Sequence, residues 1–415
     1  MSEWKEVRLG DICSSQNGYA FKSSSFNPQG KINVIKIKEL KNGFVEFTDD
    51  TAKLDIKPEL DKFIISKGDV LFALTGDPIT RPNPSSWVGR VSLYNFNDPA
   101  YLNQRVGKII CGDRIDNLFL YYFFRQFSVF KTLASQAKGS ASQANISLKD
   151  ILDTVVKIPL LNEQQEIASI LSSLDDKIAV NRRICENLEA QAQALFKHWF
   201  IDFAPFLDKP SGKAERKNGK FVESELGMIP EGWRVGRLGD VADITMGQSP
   251  AGSSYNEKGE GIFFYQGRTE FGFRYPSVRL YTTEPKRFAE PLSTLLSVRA
   301  PVGDINVATD KCCIGRGLAS IKSNNNCHSY IFYLLQSMKR RFDVYNGEGT
   351  VFGSINKDTL NGLKIIIPSN SILLGFEEIV EEMDKKILGC HQENLRLSTL
   401  RDTLLPKLMS GQIKV

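Results

Sequence analysis

Over residues 167–199 a hydrophobic position recurs at alternating steps of four and three. The set is Ile167, Leu171, Leu174, Ile178, Asn181, Cys185, Leu188, Ala192, Leu195 and Trp199. The same register returns as Phe376, Val380, Met383, Ile387, Cys390, Asn394, Leu397, Arg401, Leu404 and Leu408. A 3.5-residue apolar period kept over more than four heptads predicts a coiled-coil seam. At 1.5 Å per residue, each helix should span roughly 50–60 Å. Two such helices in one chain most simply pair with each other. If the halves of the chain are related by a pseudo-two-fold axis, the helices run antiparallel; the alternative is that each packs on its own globule. Asn181, Asn394 and Arg401 interrupt the apolar seam. Polar residues there cost stability and often fix register, or they lie where the seam opens.

Elsewhere the apolar runs are short and punctuated by Gly, Asn, Asp and Pro. INVIKIKEL, FVEF, KFIIS, GDVLFALTG, VGRVSLY and RVGKIICG predict strands in the first part, and NLFLYYFFRQFSVFKTLAS and SLKDILDTV predict helices. The order repeats later. GIFFYQG, TLLSVRAPVGDINVA, KCCIGRGLASI and LKIIIP predict strands there, and SYIFYLLQSMKRRFDVY a helix. Residue identities repeat too. Trp4, Leu9, Gly10, Asp11 and Gly18 match Trp233, Leu238, Gly239, Asp240 and Gly247 at a constant offset of 229. Ile146, Ile158, Pro159, Asp175, Lys177 and Ile178 match Ile355, Ile367, Pro368, Asp384, Lys386 and Ile387 at an offset of 209. Similar frames thus surround divergent contents. The expected architecture is mixed α/β: two globular domains at 1–158 and 231–368, long helices at 159–203 and 369–415, and a Pro-, Gly- and Lys-rich connector at 204–230. The last residues are expected to leave the second helix near Pro406 to Gly411 and end in a strand-like tail.

Composition narrows the class. A chain of 415 residues suits two domains and connectors, and 41% hydrophobic content is globular. The sequence contains no apolar run near the ~20 residues of a membrane span and no signal-peptide core at MSEWKEVRLGD. Seven scattered cysteines are expected to be reduced thiols, so the expected compartment is the cytoplasm. A net charge of +5 permits a nucleic-acid partner without arguing for one.

Catalytic signatures are missing from the sequence: it has no GxxxxGK[ST] loop, no dinucleotide fingerprint and no nucleophile elbow. Asn83-Pro84-Ser85-Ser86 lacks the second Pro and the aromatic ring of an adenine-N6 methyltransferase tetrapeptide. Only three histidines occur. Cys312, Cys313, Cys327 and His328 make a poor metal set, because adjacent strand residues face opposite ways and no CxxC occurs. No catalytic residue, metal or cofactor is therefore assigned. The candidates that remain are polar and basic residues beside glycines in loops. In the first half they are Lys22, Ser23, Thr75, Arg81, Gln104, Arg105, Lys138, Ser140 and Gln143. In the second they are Gln248, Gln266, Arg268, Arg299, Arg316 and Thr350. Arg, Lys, Gln, Asn and Ser are the side chains that read base edges and grip phosphates. Singly each suits an ordinary surface loop; as a set at matching points of two repeats they suggest DNA.

The chain resembles the specificity subunit of type I restriction–modification systems over essentially its whole length. The resemblance rests on the opening Trp-x-x-Val-x-Leu-Gly-Asp and its second copy after Gly227-Met228-Ile229-Pro230-Glu231-Gly232, and on Ile158-Pro159-Leu160-Leu161-Asn162-Glu163-Gln164-Gln165. Arg299-Ala300-Pro301-Val302-Gly303-Asp304, Gly315-Arg316-Gly317 and Leu404-Leu405-Pro406-Lys407-Leu408-Met409 add to it. Two departures, Ser369-Asn370-Ser371-Ile372 after Pro368 and Phe196-Lys197-His198-Trp199 at the first helix end, are divergence between copies. The resemblance implies that each globule is a target recognition domain reading one part of a split double-stranded DNA sequence. It implies that the helix pair sets the spacer and docks two methyltransferase subunits, which carry the catalytic residues, and that two restriction/motor subunits complete the complex. Half-sites on one face of a duplex fall ~34–36 Å apart. Three other functions compete: a coiled-coil protein–protein adaptor, an enzyme with an unrecognised site, and a specificity subunit of a methylation-only system.

Overall fold

The computed structural model describes residues 4–81, 83–140, 143–207, 220–346 and 353–415. They form two compact units, 1–181 with 392–415, and 182–391. Each unit takes the near half of one long helix and the far half of the other. These helices are Leu161–Phe196, followed by a π-helical turn Lys197–Ile201, and Asn370–Met409.

In the first unit a five-stranded sheet has the order Cys13–Asn17, Val106–Cys111, Val70–Ala73, Val91–Leu93, Gly43–Phe44. Val70–Ala73 is buried along its whole length, which explains its unbroken apolar sequence. A second sheet orders Lys53–Leu54, Ile32–Ile35, Ala100–Leu102 and Ile64–Ile65. INVIKIKEL, expected as one strand, stops at Ile35. The chain turns into a short 3-10 segment, Ile37–Glu39, where the buried Glu39 carboxylate accepts the Lys36 N–H at 3.0 Å. The long helix expected over 117–135 is two helices, Asn117–Arg125 and Phe127–Ser135, because Gln126 adopts an extended conformation. The first starts where the Asp116 side chain accepts the Phe119 N–H at 2.9 Å, an N-cap that satisfies one free amide.

The second unit repeats this frame. Lys5–Arg8 pairs antiparallel with Val155–Ile158, and Arg234–Arg237 with Lys364–Ile367. Cys13–Asn17 lies along Val106–Cys111 as Ala242–Met246 lies along Leu318–Ser323. The capped helix Leu148–Leu152 corresponds to Lys357–Asn361. Gly18 and Gly247 explain why glycine recurs there. A Cβ on Gly18 would sit 2.1 Å from the Asn103 carbonyl oxygen, and one on Gly247 2.1 Å from that of Gly315. Two expectations differ from what is found. Residues 221–230, expected within the connector, contain a hairpin of Phe221–Ser224 and Gly227–Pro230. The tail after Met409 forms turns rather than a strand.

The helix segments run antiparallel within each unit. In the first, Asn181 Nδ2 donates to Glu393 Oε2 (2.8 Å) and Asn394 Oδ1 (3.0 Å), and Arg401 Nη1 donates to Asp175 Oδ1 (2.5 Å). In the second, the Cys185 thiol points to the Ile387 carbonyl (3.8 Å), and the Phe196 and Phe376 rings lie 5.8 Å apart. The pairing number falls on one helix as it rises on the other in both cases. Ile167, Leu171, Ile178, Phe376, Val380 and Ile387 are buried, and Leu174, Leu188, Leu195, Met383, Leu397 and Leu404 are half-buried. The segments also share a core with their globule. Ile167 and Leu171 join Phe119, Leu120 and Ile151 in one cluster, and Phe376, Val380 and Ile387 join Leu238, Tyr330 and Leu335 in the other.

Candidate nucleic-acid interface

The repeated frame brings distant loops together in the first unit. Tyr19 N–H donates to the Leu102 carbonyl (2.8 Å), Leu74 N–H to that of Arg105 (3.0 Å), and Ile146 N–H to that of Leu74 (3.0 Å). Asn17, Leu74, Thr75, Gln104, Arg105, Asn145 and Ile146 thereby line one cleft of about 630 Å³. Gln104 and Arg105 stand exposed on it. Thr75 does not: it is buried, and its hydroxyl donates to Asn145 Oδ1 at 2.8 Å. It supports Asn145 rather than facing solvent. Lys138, Ser140 and Gln143 are exposed on a hairpin, Lys138–Ser140 with Gln143–Asn145, which adds to the strand Thr75–Gly76. Three sequence-distant candidates thus share an edge with the cleft. Arg81 is exposed, and its carbonyl accepts the Trp87 indole N–H at 2.8 Å. Lys22 and Ser23 stand exposed at the turn Ser23–Ser25.

The second unit has the same junction with different side chains. Gln248 N–H donates to the Ile314 carbonyl (2.9 Å), Val298 N–H to that of Gly317 (2.9 Å), and Ile355 N–H to that of Val298 (3.1 Å). Gly315 N–H donates to the Tyr265 carbonyl at 2.8 Å, placing Gln266 against residues 315–317. Gln248, Gln266, Arg299 and Arg316 are exposed around this junction. Arg268 is occupied: it and Lys339 both pair with Asp304. Burial opposes the charge on Asp304, but these two cations hold its carboxyl below the usual range. Thr350 lies outside the described residues.

Sequence reading missed several groups. Asn17, Asn145 and Lys149 line the first cleft. Lys36 occupies the first unit's counterpart of Gln266, since Asn103 N–H donates to the Ile35 carbonyl (3.1 Å) as Gly315 does to Tyr265. Asn17 and Asn145 each precede a repeated residue, Gly18 and Ile146, and that adjacency was the available signal. Lys36 and Lys149 had none.

The second unit also holds a buried charge cluster. Arg274 is 3% exposed and donates to Glu189 Oε2 (2.7 Å), Asp384 Oδ1 (2.7 Å) and the Tyr333 hydroxyl (3.1 Å), with the Phe332 ring 3.5 Å away. Burial lowers the guanidinium's proton affinity, but Asp384, Tyr333 and Glu189 more than offset it and keep it charged. The cluster ties the globule to both helix segments of its unit. Among the described residues no group of three or more His, Cys, Asp or Glu could hold a metal ion, and no helix is long and apolar enough to cross a membrane.

Comparison with known proteins fits this duplicated frame. The family model described as the type I restriction modification DNA specificity domain matches twice, over residues 1–190 and 230–400. A relative from Methanocaldococcus jannaschii, named provisionally as the type I restriction enzyme MjaX specificity subunit, is 33% identical across 100% of this chain and 94% of its own. The type I restriction enzyme HindI specificity subunit of Haemophilus influenzae is 26% identical, with 100% of both chains covered. The crystal structure of the type I restriction-modification system S subunit from M. genitalium shares the fold, with a TM-score of 0.59, 18% identity, and 98% of this chain and 96% of that one covered. Two matches to the domain model, together with similarity over the full length of such relatives, show that the chain belongs to the specificity-subunit family of type I restriction–modification systems.

Proposed function

We propose that this chain is the DNA-reading component of a type I restriction–modification complex, and that each unit reads one half of a bipartite duplex target. The observation that carries the reading is the duplicated junction. One set of backbone hydrogen bonds presents Gln104 and Arg105 in the first unit and Arg299 and Arg316 in the second. A frame that is kept while its exposed polar residues change is suited to reading two different sequences. Cationic and amide side chains on the rims supply phosphate contacts and base-edge hydrogen bonds. The gap between half-targets is assigned to the long helices, and so is the docking of two methyltransferase subunits. Two restriction/motor subunits complete the assembly, and adenine methylation and ATP-dependent cleavage belong to those partners. The chain contributes sequence choice and no catalytic group.

The test is DNA binding by this chain assembled with its methyltransferase subunit, measured from 50 to 200 mM salt. Affinity for a random duplex should fall steeply with salt, because each neutralised phosphate releases a counterion. Selected duplexes should share two short blocks around a constant gap. Assembly with no DNA dependence would instead support a protein–protein adaptor.

A further inference from the structure

The two frames can be superposed by their hydrogen bonds, and one pair of positions then stands out. In the first unit Val70–Ala73 pairs with Val106–Ile109, and the Leu74 N–H bond to Arg105 continues the ladder. Asn103–Val106 then closes a turn, Val106 N–H to the Asn103 carbonyl (2.8 Å), with Gln104 and Arg105 at its tip, while Thr75, next after Leu74, pairs with Asn145. In the second unit Thr294–Ser297 pairs with Leu318–Ile321, and the Val298 N–H bond to Gly317 continues it. Gly315–Leu318 then closes a turn, Leu318 N–H to the Gly315 carbonyl (3.0 Å), with Arg316 at its tip, while Arg299, next after Val298, bridges Ser354. Arg316 therefore holds the turn position of Gln104, and Arg299 the strand position of Thr75, on the one junction that the Val298–Gly317 bond closes. Arg268, Arg274 and Arg279 of this unit are each paired with a carboxylate. Among the described residues neither Arg299 nor Arg316 has one, and both are exposed. Two exposed, uncompensated guanidiniums on one junction point to a ligand rich in acceptors. The guanine O6/N7 edge in the major groove is such a ligand, and a guanidinium fork matches it with two parallel hydrogen bonds. Gln104, at the same point of the first frame, carries an amide, which matches the adenine N6/N7 edge instead.

We infer that Arg299 and Arg316 set specificity at one position of the half-target read by the second unit, where they select guanine, and that Gln104 holds the equivalent position for the first. This rests on the DNA-reading function proposed above. The test is selection from a randomised duplex library by the chain assembled with its methyltransferase subunit, comparing wild type with R316Q, R316K and R299T. Wild type should prefer guanine at one second-half position by roughly 10- to 100-fold. R316Q, which installs the first frame's residue, should abolish that preference or move it to adenine, with the first half-target unchanged. R316K keeps the charge but loses the fork, so it should keep affinity for random duplex while losing the guanine preference. R299T should weaken the same position and no other. Equal thermal melting of the variants separates lost reading from lost folding. If R316Q and R316K select the wild-type sequence at every position, the inference is overturned and the DNA-reading function stands. If wild type selects no bipartite sequence, that function itself fails.

Discussion

The two units solve one structural problem with opposite placements of charge. Asp175 and Asp384 are matching residues of the repeat, and each sits where helix meets globule. In the first unit Asp175 receives Arg401 from the other long helix and the Tyr122 hydroxyl (2.9 Å) from the globule. In the second, Asp384 receives Arg274 from the globule, and Arg274 also takes Glu189 from the other helix. The frame thus fixes where a carboxylate sits but not which element answers it. The second solution is deeper: the Arg274 side chain is 3% exposed, whereas Arg401 is 13% exposed and its partner Asp175 25%. Removing a buried partner costs more than removing a half-exposed one, so the units should respond unequally to equivalent lesions.

The largest effect is expected for Arg274→Ala. It leaves Glu189 and Asp384 buried without a cation, at a cost of about 3–5 kcal/mol. Arg401→Ala should cost about 1–2 kcal/mol, because water reaches Asp175 and each lost charged hydrogen bond is modest. Denaturant unfolding followed by Trp4 and Trp233 fluorescence in separate variants compares them. Equal losses would break the contrast.

The glycine pair asks the reverse question, whether the frames are equally tight. Gly18→Ala and Gly247→Ala each push a Cβ against a backbone carbonyl that cannot swing away. Each should cost about 1–3 kcal/mol by overpacking. Each should also disturb sequence selection in its own half-target alone, read by duplex selection.

A smaller effect belongs to the seam. Asn181→Leu removes the amide that donates to Glu393 and Asn394 and should destabilise by about 1–2 kcal/mol. The double variant N181L/N394L replaces both amides with apolar groups and should recover most of that loss. Thermal melting of the three proteins separates the outcomes, and no recovery in the double variant would remove the pairing argument.

The smallest difference is in pH response. All three histidines lie in the second unit. Burial lowers the His328 and His391 pKa values below the ordinary 6.5. The unfolded chain therefore takes up protons first as pH falls below 6.5, and the folded second unit loses stability in that window. Glu377 and Asp384 act oppositely. Burial raises both, so the folded state gains stability as pH falls through their raised values, above the ordinary 4.5 and 3.8. His391→Phe keeps a ring against Tyr275 and should flatten the acid loss of the second unit below pH 6.5, read from melting at stepped pH.

The comparison also shows what was legible in the chain. The seam could be read because helical period is local, and the frame because Trp, Gly and Asp recur at constant offsets. The buried role of Thr75 could not be read, since the strand Gln143–Asn145 pairs with its own only in the fold. The neutralisation of Arg268 depends on Asp304, which only folding brings near. Arg274 sits in no motif, yet it joins two helix segments to a globule. The candidate site was therefore visible as a set of loops, while which members face outward depended on long-range pairing.

The central claim is that one repeated frame carries two independent readers. Mapping N6-methyladenine in a host free of other such systems, which expresses this chain with its methyltransferase partner, tests it most directly. The account predicts one motif of two short blocks around a constant gap, and a change confined to the second block when Arg316 is replaced by Gln. A continuous motif, or a substitution that alters both blocks together, would contradict it.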